Sequence, residues 1–218
     1  MDTLTFWLDT QHTLVEVFGY PLSFIELFAT SVGLCSVYLA TKASIYTWYT
    51  GLVSQIAFFL IFYQVQLYSD MILQVFFSFV CIFGIYSWRK TSKNEEQNIT
   101  WLRNTHRLLI VVSMLVGSYL LSLAASRYHV WFPQLFTHPA DFAYIDALVS
   151  ALGITASLLQ TQRKIDAWFF WICLNIVCIF LFFHKGIKFV AIEYCMLLML
   201  AIWGMYNWVS LHKQCEKV

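Results

Sequence analysis

Long apolar stretches alternate with short polar segments along the chain. Seven stretches of about 20 residues are mostly apolar, which is the length that a helix needs to cross the hydrocarbon core of a bilayer. These stretches lie at 21–41, 48–66, 70–88, 107–125, 142–160, 166–184 and 187–208. The pattern predicts an all-α polytopic membrane protein with seven transmembrane helices.

The polar segments between these stretches predict different structures. Residues 3–19 are too short and too polar to span, and they predict an interfacial amphipathic helix within an amino-terminal segment of residues 1–20. Its apolar side chains are Leu4, Trp7, Leu8, Leu14 and Val17. Residues 89–106 form a strongly charged linker, and residues 126–141, which contain Pro133 and Pro139, predict a second loop at an interface.

Composition narrows the class of protein further. The 218 residues are 60% hydrophobic and 11% charged, whereas an average soluble domain is about 45–50% apolar and about 25% charged. This composition excludes a disordered chain and argues against an ordinary soluble enzyme. The formal net charge of +1 gives no global field, so nucleic acid is not an expected partner.

With seven spans, the Lys and Arg residues fall unequally on the two sides of the membrane. Ten of them lie on the side of the carboxyl tail, whereas Arg127, Lys185 and Lys188 lie on the other side. Cytoplasmic loops of membrane proteins carry the excess of basic residues. The sequence therefore predicts a cytoplasmic carboxyl terminus and an external amino end.

The chain also matches itself without gaps at an offset of 120 residues, between 21–91 and 141–211. Identical landmarks in this register are Gly33/Gly153, Trp48/Trp168, Gly84/Gly204, Tyr86/Tyr206 and Trp88/Trp208. A single helix between two three-helix units makes the repeats parallel, so the sequence predicts a 3+1+3 plan. The linker at 92–140 contains helix 4, and a tail follows at 212–218. Parallel repeats of this kind are a transporter architecture with the substrate site between the halves.

The stretch WFFWICLN carries the most informative side chains. Trp168, Trp171 and Asn175 lie on one helical face because of their i, i+3, i+7 spacing. Their repeat partners are Trp48, Gly51 and Gln55. The two rows predict a cage with an indole on one side, a gap opposite, and an amide from each half to hydrogen-bond a ligand. The alternative places Trp48 and Trp168 in an aromatic belt at the cytoplasmic interface.

Further candidates lie on the third helix of each repeat. Gln74 is paired by the repeat with Tyr194, which follows Glu193, and an acid among apolar residues is a functional hypothesis by default. Tyr86 lies at a helix end where most residues are expected to serve the belt and packing. Glu26, near an outer helix end, is expected to have a structural role such as capping. The predicted substrate-binding residues are Trp48, Gln55, Gln74, Tyr86, Trp168, Trp171, Asn175, Glu193 and Tyr194.

Motifs of enzyme chemistry are missing from the sequence. It contains no HExxH, no GxSxG and no Walker A sequence, and no two of its six cysteines have CxxC spacing. We therefore expect no enzymatic activity, no catalytic residues, no metal site and no cofactor.

Several short motifs, taken in order, resemble those of the bacterial PnuC nicotinamide riboside transporters over residues 21–211. They are QLY at 66–68, LQVFF at 73–77, G-x-Y-x-W at 84–88, WxxWxxxN at 168–175, EY at 193–194, and the paired acids Glu26 and Asp146. The resemblance implies a fold similar to that of SWEET sugar transporters. It also implies uptake of nicotinamide riboside, an NAD precursor, by facilitated diffusion across the bacterial inner membrane, with a cytoplasmic nicotinamide riboside kinase trapping the substrate.

The candidate residues suit such a ligand. A cationic aromatic ring calls for an indole face, and a carboxamide and ribose hydroxyls call for neutral amides. Thiamine is also a cationic aromatic, so a transporter for thiamine or another vitamin or nucleoside stays open. A SWEET-type sugar uniporter and a membrane-embedded enzyme or assembly protein also stay open. The expected partners are the substrate, the lipid bilayer and the kinase. Assembly into a homo-oligomer, such as a trimer, also stays open.

Overall fold

The computed structural model of the chain describes residues 7–17, 19–90, 99–127 and 142–215. These residues contain one short β-hairpin followed by seven long helices. The strands are β1 (Thr13–Val17) and β2 (Tyr20–Ser23). The helices are α1 (Phe24–Thr41), α2 (Tyr46–Gln64), α3 (Tyr68–Lys90), α4 (Asn104–Ala125), α5 (Ala143–Thr161), α6 (Asp166–His184) and α7 (Lys188–Cys215).

Each of the seven predicted apolar stretches forms a helix, and α6 has the predicted bounds. Six of the helices are long and apolar enough to cross a membrane. The exception is α2, which has 19 residues but begins with the polar-rich sequence YTWYTG. The prediction of a multi-pass, helical membrane protein is therefore confirmed.

The predicted amphipathic helix over residues 3–19 is wrong for its second half. Residues 13–17 form β1, which pairs antiparallel with β2, and Val17 is the partner of Tyr20. The sequence TLVEV is rich in β-branched residues, which favour an extended backbone. Gly19 has a φ of +80°, so it adopts the left-handed conformation between the two strands. Leu4 lies outside the described residues.

The end of the charged linker is anchored rather than free. Thr100 donates its N–H to Arg163 O at 3.2 Å and accepts from Ile165 N at 3.1 Å, between α5 and α6. The carboxylate of Asp166 accepts from the Leu102 N–H at 2.8 Å and from Arg107 Nε at 2.6 Å. These bonds attach the start of α4 to the start of α6. The rest of the linker and the loop predicted at 126–141 fall largely outside the described residues.

Asp166→Ala should lower the free energy of unfolding by about 2 kcal/mol. The loss is measured as a lower melting temperature of the purified protein. The substitution leaves the amide of the buried Leu102 without its acceptor and removes the carboxylate that Arg107 contacts. Asn104→Ala is the control, because it removes only an exposed hydrogen bond of the same arginine. Equal melting temperatures for Asp166→Ala and Asn104→Ala would contradict this prediction.

Four helices end in the same way, and the four ends are spaced by the repeat. The left-handed residues Ala43 and Arg163 are 120 positions apart, and so are Gln66 and Gly186. Each follows a helix, α1, α2, α5 or α6, and the residue after it donates back to the carbonyl five positions earlier, as in Ser44 N to Leu39 O at 3.1 Å. This is the Schellman motif, which satisfies the last carbonyls of a helix.

The helices pack in two consecutive groups. α1 contacts α2 and α2 contacts α3, while α5 contacts α6 and α6 contacts α7. The two groups meet where α1 contacts α7 and where α3 contacts α5, and α4 packs against α5. A Cβ on Gly33 would approach Ser54 Oγ of the same group to 3.0 Å, whereas a Cβ on Gly153 would approach both Leu174 of its own group and Phe77 of α3 in the other group to 3.3 Å. Small residues let helices approach closely in a membrane, where packing drives association.

Candidate functional site

Four indoles pack together at one end of the helices, and we call Trp48, Trp88, Trp168 and Trp208 the four-tryptophan cluster. The rings of Trp48 and Trp88 meet edge to face at 5.4 Å, and those of Trp168 and Trp208 meet edge to face at 5.6 Å. Trp88 and Trp208 join the two pairs at 6.4 Å. The side chains are 5% exposed or less. The cluster therefore lies inside the bundle.

Two hydrogen bonds of the cluster cross between the helix groups. Trp88 Nε1 in α3 donates to Thr161 O in α5 at 3.0 Å, and Trp208 Nε1 in α7 donates to Ala40 O in α1 at 2.9 Å. The guanidinium of Arg163 lies 4.6 Å from the ring centre of Trp88, a cation–π distance. The cluster therefore fastens the two groups to each other at this end.

The rings of Trp48 and Trp168 are enclosed by packing in this structure. Neither ring has a face open to a ligand, since each packs on a tryptophan and on a glycine of the next helix. A Cβ added to Gly204 would lie 2.5 Å from Cη2 of Trp168, and one added to Gly84 would overlap the ring of Trp48. Burial at 5% and 1% also excludes an aromatic belt in contact with lipid headgroups. In this conformation both are packing residues.

Trp171 lies one turn further along α6 and is only half-buried. Its indole Nε1 donates to Gln160 Oε1 in α5 at 2.8 Å, which links two helices of the second group. The predicted gap at its repeat partner Gly51 is filled. A Cβ on Gly51 would approach Ser36 Oγ to 3.1 Å and Cys81 Sγ to 3.2 Å. The expectation of an open space opposite the indole is therefore wrong at this position.

The three amides predicted for the site, Asn175, Gln55 and Gln74, have no hydrogen-bond partner among the described residues. Asn175 is 3% exposed and follows Trp171 by four residues on α6, whereas Gln55 in α2 and Gln74 in α3 are half-buried. None of their polar atoms is fully buried without a partner, so a ligand can reach them. Nearby hydroxyls are satisfied, as Ser54 Oγ donates to Ala29 O at 2.9 Å. The three amides are therefore polar groups that a ligand could bind, whereas the unpartnered Nε1 atoms of Trp48 and Trp168 are fully buried.

Tyr194 and Glu193 lie in the second turn of α7, where both are half-buried. The Tyr194 ring stacks on Phe182 of α6 at 5.4 Å, with 11° between the planes. It packs against the same core as Trp171. In the part of the chain that the structure describes, Glu193 makes no hydrogen bond, and no three His, Cys, Asp or Glu side chains come together as metal ligands.

Glu26 has the structural role that its place near a helix end indicates. Its carboxylate accepts from Ser23 N at 2.8 Å, and Ser23 Oγ accepts from Glu26 N at 3.4 Å, which forms a capping box at the start of α1. Tyr20 OH also donates to the carboxylate at 3.0 Å. Burial and the neighbouring carboxylate raise the pKa of Tyr20 to about 12, so this hydroxyl stays protonated and remains a donor.

Tyr86 is separated from the other predicted site residues. Its neighbours Gly84 and Trp88 face the four-tryptophan cluster, and Tyr86 lies between them on the opposite side of α3 with 62% of its surface exposed.

A groove of about 250 Å³ lies on the outer surface between α2 and α3. It is lined by Ile56, Phe59, Val75, Ser78, Phe79 and Ile82. This groove contains none of the predicted site residues and is not the candidate site.

Sequence reasoning missed Gln160, which the structure places beside Trp171. It is 7% exposed and lies one residue before the end of α5. The signal that was available is the repeat, because Gln160 aligns with Ala40 and Trp171 aligns with Gly51. Gln160 and Trp171 are each much larger than their repeat partners, and they contact each other.

Comparisons with known proteins give the same assignment as the sequence motifs. The family model described as "Nicotinamide mononucleotide transporter" matches residues 23–210. The chain is 31% identical to the "Nicotinamide riboside transporter PnuC" of Escherichia coli (strain K12), covering 91% of this chain and 90% of that protein. It is 24% identical to the "Riboflavin/roseoflavin transporter RibM" of Streptomyces davaonensis, over 93% and 91%.

A solved structure has the same fold. The "Crystal structure of the Vitamin B3 transporter PnuC" superposes with a TM-score of 0.67 at 23% identity, covering 88% of this chain and 83% of the other. The family model and the relative at 31% identity both extend over most of the chain. The chain therefore belongs to the nicotinamide mononucleotide transporter family, in which it is a PnuC-type multi-pass membrane transporter.

Proposed function

We propose that the chain takes up nicotinamide riboside across the bacterial inner membrane. The observation that carries the proposal is on α6, where the half-buried indole of Trp171 lies one turn from the buried, unpartnered amide of Asn175. The proposal is also supported by the similarity to proteins named as nicotinamide riboside transporters.

Each part of this ligand has a partner of suitable chemistry. The positively charged nicotinamide ring stacks on the face of Trp171, because an aromatic quadrupole attracts a cation. The carboxamide and the ribose hydroxyls exchange hydrogen bonds with Asn175, Gln55 and Gln74, which have no partner among the described residues. Tyr194 and Glu193 form a second wall on α7.

Riboflavin is the second candidate, because a relative over most of the chain is named as a riboflavin transporter. A flavin also offers an aromatic plane and carbonyl groups, so an indole and free amides suit it as well. It lacks the positive charge of the nicotinamide ring, however, and so gains less from the quadrupole of Trp171.

Thermal unfolding of the purified protein with nicotinamide riboside, thiamine, riboflavin or thymidine tests this proposal. A ligand at 100 times its Kd stabilises the folded state by about 2.7 kcal/mol, through mass action. We expect nicotinamide riboside to raise the melting temperature most. A larger shift with riboflavin or thiamine would reassign the substrate, and no shift with any of the four compounds would contradict the proposal.

We propose a 3+1+3 arrangement with a pseudo-two-fold axis along the membrane normal. Support comes from the helix ends, since the left-handed residues recur at an offset of 120. Support also comes from the packing. The 120-residue offset pairs α1 with α5 and α3 with α7, so the contact between α1 and α7 is equivalent to the contact between α5 and α3, and both contacts are present. The edge-to-face pairs of the four-tryptophan cluster exchange in the same way.

Transport then runs by facilitated diffusion, and phosphorylation by a cytoplasmic kinase keeps the internal nicotinamide riboside concentration low. The proposal of a uniporter is supported by the free amides, which bind a ligand without taking up or releasing a proton. No part of this proposal requires chemistry on the substrate by the chain itself.

A fluorescent protein fused to the carboxyl terminus should fluoresce in cells, because we place this terminus in the cytoplasm. The side that carries ten of the 13 basic residues is expected to be cytoplasmic. A reporter enzyme that is active only in the periplasm should remain inactive at the same position. If the periplasmic reporter is active and the fluorescent fusion is dark, the carboxyl terminus lies outside the cytoplasm and this orientation is wrong.

A further inference from the structure

Gln160 has one half of its amide in use and the other half free. Its Oε1 accepts from the indole N–H of Trp171 at 2.8 Å, which leaves Nε2 as the donor end. This Nε2 has no hydrogen-bond partner within the described ranges, and although the residue is 93% buried, the atom is not among the fully buried ones, so solvent reaches it. The surroundings are apolar, because the core beside Trp171 is built from residues such as Leu159 and Phe170. A donor that solvent can reach within an otherwise buried residue is also within reach of a bound ligand.

The two repeats differ in a concerted way around this amide. The second repeat has Gln160 and Trp171 where the first has Ala40 and Gly51. In the first repeat, Ser36 and Cys81 occupy the space in front of Gly51. The repeat partners of these two residues are the smaller Ala156 and Ala201, which are 0% and 1% exposed.

The four differences between the repeats, at Ala40/Gln160, Gly51/Trp171, Ser36/Ala156 and Cys81/Ala201, together change the space around one position. Small residues on α5 and α7 make room for one indole and its amide in the second repeat, whereas the first repeat closes the same space. A symmetric bundle consequently has an aromatic face with a neighbouring hydrogen-bond donor on one side only. A ligand with one planar end and one sugar end requires such an asymmetric site.

We propose that Gln160 is a ligand-binding and positioning residue of the transporter. Its Oε1 holds the indole of Trp171 in one orientation, and its Nε2 donates to the carboxamide oxygen of the nicotinamide ring that stacks on this indole. The inference rests on the proposed function. It gives a role to the free, solvent-reached Nε2 beside an aromatic face.

Titration calorimetry with two probes tests the donor. The probes are nicotinamide riboside and pyridinium riboside, which has the same cationic ring and ribose but lacks the carboxamide. The parental protein should prefer nicotinamide riboside. Gln160→Met removes both ends of the amide at similar volume, so it should weaken nicotinamide riboside binding about tenfold or more and reduce the preference by a similar factor. Gln162→Met, at an exposed position two residues away, is the control and should behave like the parent.

Two further variants separate the two roles of Gln160. Gln160→Glu keeps an oxygen for the indole N–H but lacks the Nε2 donor, so it should lose the preference while Trp171 stays in place; it carries the test if Gln160→Met does not fold. In a Trp171→Phe background, Gln160→Met should have a smaller effect than in the parent, because the indole N–H is already gone.

The outcomes distinguish this inference from the proposed function. If the parental protein binds neither probe, the proposed function fails and this assignment fails with it. If the parent binds nicotinamide riboside and the Gln160 variants keep its affinity and its preference, the assignment alone is overturned. A lower melting temperature with unchanged affinity would likewise reduce Gln160 to a structural residue.

Discussion

Trp171→Ala should weaken the binding of nicotinamide riboside about 5–30-fold, which corresponds to about 1–2 kcal/mol of stacking on a cationic ring. The substitution removes a half-buried ring whose N–H already has a partner in Gln160. Alanine is a good helix residue, so α6 should still form. Titration calorimetry measures the effect, and Trp171→Phe should recover part of the affinity because a weaker π-face remains.

Asn175→Leu should weaken binding further than one lost hydrogen bond suggests, because a polar atom of the ligand would be buried without a partner. The folded protein should be at least as stable without ligand, since the amide of Asn175 has no hydrogen-bond partner among the described residues. Phe169→Ala is the control on the same helix, because Phe169 is 55% exposed. Parental affinity in both Trp171→Ala and Asn175→Leu would place the substrate elsewhere.

Gly204→Ala and Gly84→Ala should each destabilise the protein by about 1–3 kcal/mol or more. The new methyl group would lie 2.5 Å from Trp168 in the first case and inside the ring contact of Trp48 in the second. Neither indole can move away, because each also packs edge to face on a second tryptophan of the cluster. The melting temperature of the purified protein measures the loss.

Gly117→Ala is the matched control for these two variants. Gly117 also lies inside a helix, α4, but a Cβ there meets nothing within 4 Å. Alanine in a helix is more favourable than glycine by about 0.5–1 kcal/mol, so this variant should be unchanged or slightly more stable. If Gly84→Ala and Gly204→Ala behave like Gly117→Ala, the four-tryptophan cluster is packed more loosely than described.

The sequence alone determined the helices, the class of protein and the equivalence of the two repeats. A bilayer needs about 20 apolar residues for each crossing, so each helix could be predicted from a local property of the chain. The offset of 120 residues identified Trp48 with Trp168 and Gly84 with Gly204 without any structure. The recurrence of left-handed residues at Ala43 and Arg163 follows the same offset.

Only the tertiary structure decided what the equivalent residues do. Trp168 and Trp171 lie three residues apart on α6, yet one packs against Trp208 and Gly204 and the other bonds to Gln160. The space expected at Gly51 is filled by side chains from α1 and α3. Periodicity states which face of a helix a residue occupies, but it does not state which distant side chain fills the space in front of that face. Local pattern therefore determined the elements, whereas side-chain contacts between helices determined the surroundings of the candidate residues.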